Sequence, residues 1–193
     1  MKESCIEIDN RFIMPPEFSP EILDTLPIYK HHYGTPMEGC PTTLYWTEYQ
    51  PYQPGDGKIS FARKLYLQYP NVAEYVAEYL RQFFPGIYID TERVNLMKTQ
   101  GNIRRHKDEG RPTTINIGIK NTINAITLTS STKDHSEYLE VVKRVQCYDG
   151  HAYLLDTSCL HQVIAVTQEP RYLFTYGFEN TFEEIASYYK RKN

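Results

Sequence analysis

From residue 88 to residue 178 the sequence alternates with a period of two, and this constrains the fold more than any other feature. Eight short runs carry the alternation, at 88 to 98, 103 to 108, 112 to 120, 124 to 130, 138 to 147, 151 to 156, 159 to 166 and 171 to 178, with turn-like segments between them. Successive side chains of a strand point to opposite faces, so such a run makes a surface with two different sides. In TTINIGI, Thr114, Asn116 and Gly118 share one face and Ile115, Ile117 and Ile119 the other. In RYLFTYGF, Arg171, Leu173, Thr175 and Gly177 oppose Tyr172, Phe174, Tyr176 and Phe178. One side is strongly apolar and the other small or polar. Eight such strands flanked by helices predict a mainly β fold, a jelly roll or barrel, rather than a parallel α/β sheet. The apolar faces are expected under the helices. The small, polar faces are expected to line the interior of a roll, leaving a pocket rather than a filled core.

The flanking helices are also legible. NVAEYVAEYLRQFF sets Val72, Tyr75, Val76, Tyr79, Leu80 and Phe83 at helical spacing, Asn71 with Glu74 predicts a capping box, and Pro85-Gly86 ends the element. A second helix is expected from near Asn180 through TFEEIASYYKRK, again with a glutamate three residues after the cap. Residues 35 to 58 read as a long irregular segment rich in aromatic residues and turn formers. At 193 residues the chain is the length of one domain. Its expected parts are a helical and irregular region (1–87), a β-roll core (88–178) and a C-terminal helix (180–192).

Net charge is -3 and the pI about 6.1, which argues against a generalised polyanion-binding surface. Basic residues still cluster locally, as Arg104, Arg105 and Lys107 and as Lys190, Arg191 and Lys192. The start, MKESCIEIDN, has charges where a signal peptide needs an apolar core, and no apolar run reaches membrane-spanning length. A soluble, cytoplasmic protein with no membrane partner is expected. Cys5, Cys40, Cys147 and Cys159 form no CxxC pair and read as free, partly buried thiols.

His106 and Asp108 stand two apart just before the TTINIGI run. On one strand they share a face with Arg104, roughly 6–7 Å apart along the backbone, while Lys107 points away. A third metal ligand is expected from a facing strand, where SCLHQVIAV places His161 inside an apolar run. Two imidazoles and one carboxylate on one side of a metal form a facial triad suited to non-haem Fe(II), with positions left open. His135-Ser136-Glu137 repeats the local pattern, but only 26 positions separate it from His161 against 55 for His106. The longer interval has room for the strands a roll must place in between. Arg171 follows ten positions after His161. His31, His32 and His151 lack a partner pattern and are expected to be structural or exposed.

In this order and spacing, His106, Asp108, His161 and Arg171 resemble the signature of the Fe(II)- and 2-oxoglutarate-dependent oxygenases, which are built on a double-stranded β-helix. The match covers roughly residues 91 to 178. The resemblance implies Fe(II) held by His106, Asp108 and His161, 2-oxoglutarate as cosubstrate with O2, and Arg171 on the far carboxylate. Asn95 looks like the 2-oxoglutarate-binding asparagine of the nucleic-acid dealkylase branch. Thr114, Asn116 and Thr175, as polar residues of the interior, are expected to contact cosubstrate, substrate or water. If residues 166 to 170 form a five-residue hairpin loop, Arg171 pairs with Ala165 and shares the inward face of His161, on the order of 13 Å away. A divalent metal, one aspartate and a dianionic cosubstrate sum to -1, which one guanidinium neutralises. Arg104 is expected to face the same space, on an anionic substrate or in a salt bridge. The related halogenases replace the carboxylate ligand, so the resemblance implies that Asp108 favours hydroxylation, or another oxidation, over halogenation, with release of succinate and CO2. An amino-acid or peptidyl side chain is the favoured substrate. Nucleic-acid dealkylation and a non-catalytic binding roll are the alternatives.

Overall fold

The computed structural model describes residues 3–8, 11–15, 18–25, 28–30, 46–49, 58–62, 65–131 and 141–192, with backbone alone at 28–30, 46–49, 58–62, 67–68, 104, 142 and 190–192. The decoy His135-Ser136-Glu137, His31, His32, Cys40 and most of the 35–58 segment lie outside the described residues. Twelve strands are described: β1 (Cys5–Ile8), β2 (Ile28–Lys30), β3 (Trp46–Tyr49), β4 (Lys58–Ala62), β5 (Asn95–Gln100), β6 (Ile103–His106), β7 (Thr113–Lys120), β8 (Ala125–Ser130), β9 (Val141–Gln146), β10 (Ala152–Asp156), β11 (His161–Ala165) and β12 (Arg171–Phe178). The helices are α1 (Leu65–Gln68), α2 (Pro70–Phe83) and α3 (Phe182–Lys192). None is long and apolar enough to cross a membrane.

The strands form two sheets, an eight-stranded one ordered β1-β10-β7-β12-β5-β4-β3-β2 and a four-stranded one ordered β6-β11-β8-β9. Every pair is antiparallel except β2 with β3. This is the expected mainly β fold with flanking helices, a double-stranded β-helix. Each of the eight alternating runs overlaps one strand. The first is shorter than its pattern: the Asp90 carboxylate accepts from the Glu92 amide at 3.0 Å and caps a turn at Thr91–Arg93, so β5 begins only at Asn95. Residues 1–87, expected to be helical and irregular, contribute four strands. They form because partners distant in sequence, β10 for β1 and β5 for β4, satisfy their backbone groups.

Parity holds in the large sheet. Ile115, Ile117, Tyr172, Phe174, Tyr176 and Phe178 are buried beneath α2 and α3 in one apolar cluster with Val72, Val76, Leu80, Phe83, Phe182 and Ile185. Removing each large side chain from water contributes about 1.5–3 kcal/mol. Edge-on rings join the layers: Phe12 lies 5.1 Å from Tyr79 and 5.8 Å from Phe174. Tyr75, assigned to this face by spacing, is instead 42% exposed at the margin. The Asn71 capping box is absent. Pro70, with no N–H to satisfy, occupies the first turn and Tyr69 is the N-cap, while the Glu74 carboxylate accepts from Arg81 and Thr91. At α3 the box forms one residue later than expected, between Thr181 and Glu184, with the Thr181 amide donating at 2.9 Å.

The interior is not all pocket. Cys5, Tyr153 and Leu155 of the large sheet meet Val145 of the small one, and Cys147 just beyond it, in a second buried apolar cluster. The described cysteines are buried and form no disulfide among the described residues, and burial pushes the Cys147 thiol pKa up to about 11. Buried polar side chains remain on β5, β7, β8, β11 and β12, as Thr99, Thr114, Thr129, His161 and Thr175, with Thr129 Oγ1 2.7 Å from Ser4 Oγ.

Candidate metal centre

His106 is the last residue of β6 and His161 the first of β11, and the two are direct cross-strand partners. His161 therefore comes from the adjacent strand of the same sheet rather than a facing one. Directly paired side chains stand close, and here the ring centroids are 4.3 Å apart at 50°. Asp108 lies beyond the end of β6, where its amide donates to the Thr157 carbonyl at 2.9 Å. The strand also slips: Ile103 and His106 pair with Val163 and His161, so three residues span what two span opposite. Strict alternation across 103 to 108 is lost, and parity no longer assigns Arg104 to the His106 face. Its side chain lies outside the described residues; Lys107 is exposed, as expected.

The turn before His161 orients its ring. The Asp156 carboxylate accepts from the Ser158 hydroxyl at 2.6 Å and from the Cys159 thiol at 3.3 Å. The Cys159 carbonyl then lies 3.1 Å from His161 Nδ1. With Nδ1–H donating there, Nε2 carries the lone pair. Asp108 Oδ1 is 3.5 Å from His106 Nε2 and 3.9 Å from His161 Nε2, and the ligand atoms of all three lie within 4.8 Å of one another. Burial, then the nearby His106, lowers the His161 pKa, which keeps the ring neutral. Burial alone raises the Asp108 pKa, but the His106 hydrogen bond and the Arg111, His161 and His106 charges outweigh it, and the carboxyl sits below its usual range. A neutral His161 ring, its Nε2 facing Asp108 Oδ1, offers a cation a lone pair without first losing a proton.

Arg171 opens β12 in the other sheet. It pairs with Thr99 of β5, not with Ala165, because residues 166 to 170 cross from the small sheet to the large one instead of closing a hairpin. It is 5% exposed, and its Nε donates to Thr99 Oγ1 at 2.5 Å. Among the described residues no carboxylate meets its guanidinium, and burial depresses its pKa.

No family profile and no curated protein matches the sequence. Solved structures do. YcfD from Escherichia coli aligns over 95% of this chain and 52% of its own, at 16% identity and a TM-score of 0.51. A second YcfD structure, described as a ribosomal oxygenase, aligns over 94% and 50% at 14% identity, with the same score. This chain shares the fold of those YcfD structures. It spans about half the length of those structures, and at this identity the likeness to the oxygenases is one of fold.

Within that fold, Asn95, Thr175 and Asn116 form a row across β5, β12 and β7 on the inner face. Thr175 is buried, Asn95 donates to the Arg93 carbonyl at 2.8 Å, and Asn116 Oδ1 is buried with no partner among the described residues. Thr114 is 3.3 Å from Thr157 Oγ1, which ties it to the turn that orients His161. His151, expected to be structural or exposed, is partly exposed beside Glu7 at 2.9 Å. Sequence reasoning missed Thr99, which the inward parity of β5 marks, and Arg111, whose Nη2 donates to Asp108 Oδ2 at 3.0 Å. The only local signal for Arg111 is a cation three residues after the aspartate.

Proposed function

We propose that this chain is an Fe(II)- and 2-oxoglutarate-dependent dioxygenase that hydroxylates an amino-acid or peptidyl side chain, with release of succinate and CO2. The observation that carries the reading is Arg171, a buried guanidinium on the interior wall that has a hydroxyl partner but no anion among the described residues. A buried unpaired charge is costly, so a ligand carboxylate is its natural counterpart. The ligand set of His106, Asp108 and His161 fits Fe(II), and Asn116 Oδ1, buried without a partner among the described residues, fits a polar guest in the same space.

When bound, Fe(II) with O2 oxidises 2-oxoglutarate to succinate and CO2 while one oxygen atom goes to the substrate. The protein's share is placement. His106, Asp108 and His161 hold the cation on one side. Arg171 would receive the far carboxylate, and Thr99 orients that guanidinium by accepting from its Nε. The wall of Thr175, Asn116 and Asn95 offers polar contacts to the guest, while the Cys5, Val145, Cys147, Tyr153 and Leu155 cluster keeps water out behind it. The likeness of fold to a ribosomal oxygenase makes a protein side chain the first substrate to test.

Protein purified without oxygen and loaded with Fe(II) should release succinate from 2-oxoglutarate, and release should rise with the true substrate. Peptide, amino-acid and oligonucleotide pools, screened by mass for one added oxygen or one lost alkyl group, separate hydroxylation from nucleic-acid dealkylation. Absence of succinate, even uncoupled, together with no bound metal would overturn the oxygenase reading in favour of a non-catalytic binding roll.

A further inference from the structure

The two oxygens of Asp108 have different surroundings. Oδ1 faces both imidazole Nε2 atoms, at 3.5 and 3.9 Å, whereas Oδ2 accepts from Arg111 Nη2 at 3.0 Å. Building on the Fe(II) reading above, we propose that Arg111 is a positioning residue: seated over Gly177, it holds one oxygen of Asp108 and leaves the other as a single metal ligand.

Both ends of the 108–112 turn are pinned to the turn before His161. The Asp108 amide donates to the Thr157 carbonyl, the Arg111 carbonyl accepts from Thr157 Oγ1 at 2.6 Å, and the Pro112 carbonyl accepts from the Thr157 and Ser158 amides at 3.0 Å each. This fixes where the Arg111 side chain starts. Its stem then crosses β12 at Gly177, where a Cβ would stand 2.6 Å from Arg111 Cδ and 2.9 Å from Cγ. Gly177 is not among the positive-φ glycines of the described chain, so its backbone does not demand glycine. What it provides is room for the arginine.

The consequence is chemical. A carboxylate free at both oxygens can chelate a metal and occupy two positions. With Oδ2 engaged by a guanidinium, Asp108 offers one, and three positions stay open beside the triad for a chelating cosubstrate and O2. A residue holding a ligand in this way typically changes metal affinity by about 10–100-fold when removed.

The test titrates the oxygen-free protein with Co(II), whose visible absorption reports ligand geometry without turnover. Arg111→Met should weaken Co(II) binding about 10-fold or more and alter the spectrum, and Arg111→Lys should restore part of both. Gly177→Ala should weaken binding by displacing the arginine, yet add little in the Arg111→Met background, because the clash is then gone. Urea midpoints show that each variant is folded; should the Met variant fail to fold, the Lys variant and Gly177→Ala decide. Wild-type affinity and spectrum in Arg111→Met, or full additivity of the two substitutions, would overturn the role of Arg111 while leaving the metal site standing. Equal Co(II) binding by wild type and His161→Ala would remove the metal reading itself, and this inference with it.

Discussion

Arg171→Met should make the ligand-free protein more stable while abolishing its response to 2-oxoglutarate. The guanidinium is 5% exposed and stays protonated at neutral pH. Burial pushes its pKa down, and among the described residues the Cys147 thiol acts the other way. After relaxation, an uncompensated buried ion costs several kcal/mol, which methionine removes while keeping most of the apolar stem. Against this, Thr99 Oγ1 loses the 2.5 Å hydrogen bond from Nε, a loss of about 1–3 kcal/mol. The net expectation is a gain of about 1–3 kcal/mol, or about 2–12 °C in Tm for a chain of this length. The assay is thermal unfolding in buffer free of dicarboxylates, with and without Co(II) and 2-oxoglutarate. Wild type should gain about 2.7 kcal/mol with ligand a hundredfold above its Kd, and the variant none. A ligand-free variant less stable than wild type, or one still stabilised by 2-oxoglutarate, would refute the assignment of Arg171 as an unpaired charge awaiting an anion.

Two further outcomes test the frame around the site. Gly118→Ala places a Cβ 2.3 Å from the Tyr148 carbonyl oxygen and 2.8 Å from Thr122 Oγ1, so the urea midpoint should fall by the equivalent of about 1–3 kcal/mol or more; an unchanged midpoint would mean that the turn at 148–150 gives way freely. Asp24 is held below its ordinary value of 3.8 by hydrogen bonds from Lys120 and then Tyr172, so its contribution is present above that value and lost as pH falls through the lowered one. Asp24→Asn should cost under about 1 kcal/mol at pH 7, because the pair is partly solvated, and the gap to wild type should close on acidification. A gap that persists at the acid limit would show that Asp24 acts by packing rather than by charge.

Local pattern carried much of the fold and the site. Alternation in TTINIGI and RYLFTYGF determined which residues of β7 and β12 face the helices and which face inward, because strand side chains alternate whatever the strand pairs with. Order and spacing marked His106, Asp108, His161 and Arg171 as one set. The failures have a common cause. Sequence spacing does not encode which strand lies beside which, and the five residues from 166 to 170, read as a hairpin, lead from one sheet to the other. Arg171 reaches the interior through its pairing with Thr99. His106 and His161 stand side by side because β6 and β11 are neighbours, and the slip in β6 cancels the parity expected for Arg104.

What the sequence determined by itself was therefore chemistry and face: which residue types recur, at what period, and so which sides of the strands are apolar. What only the tertiary structure decided was adjacency. Hydrogen-bond pairing between distant segments set the two sheets, filled one part of the interior with Cys5, Val145, Cys147, Tyr153 and Leu155, and brought Arg111 over Gly177 to Asp108. Such contacts depend on the packing of the whole chain, which no local period records.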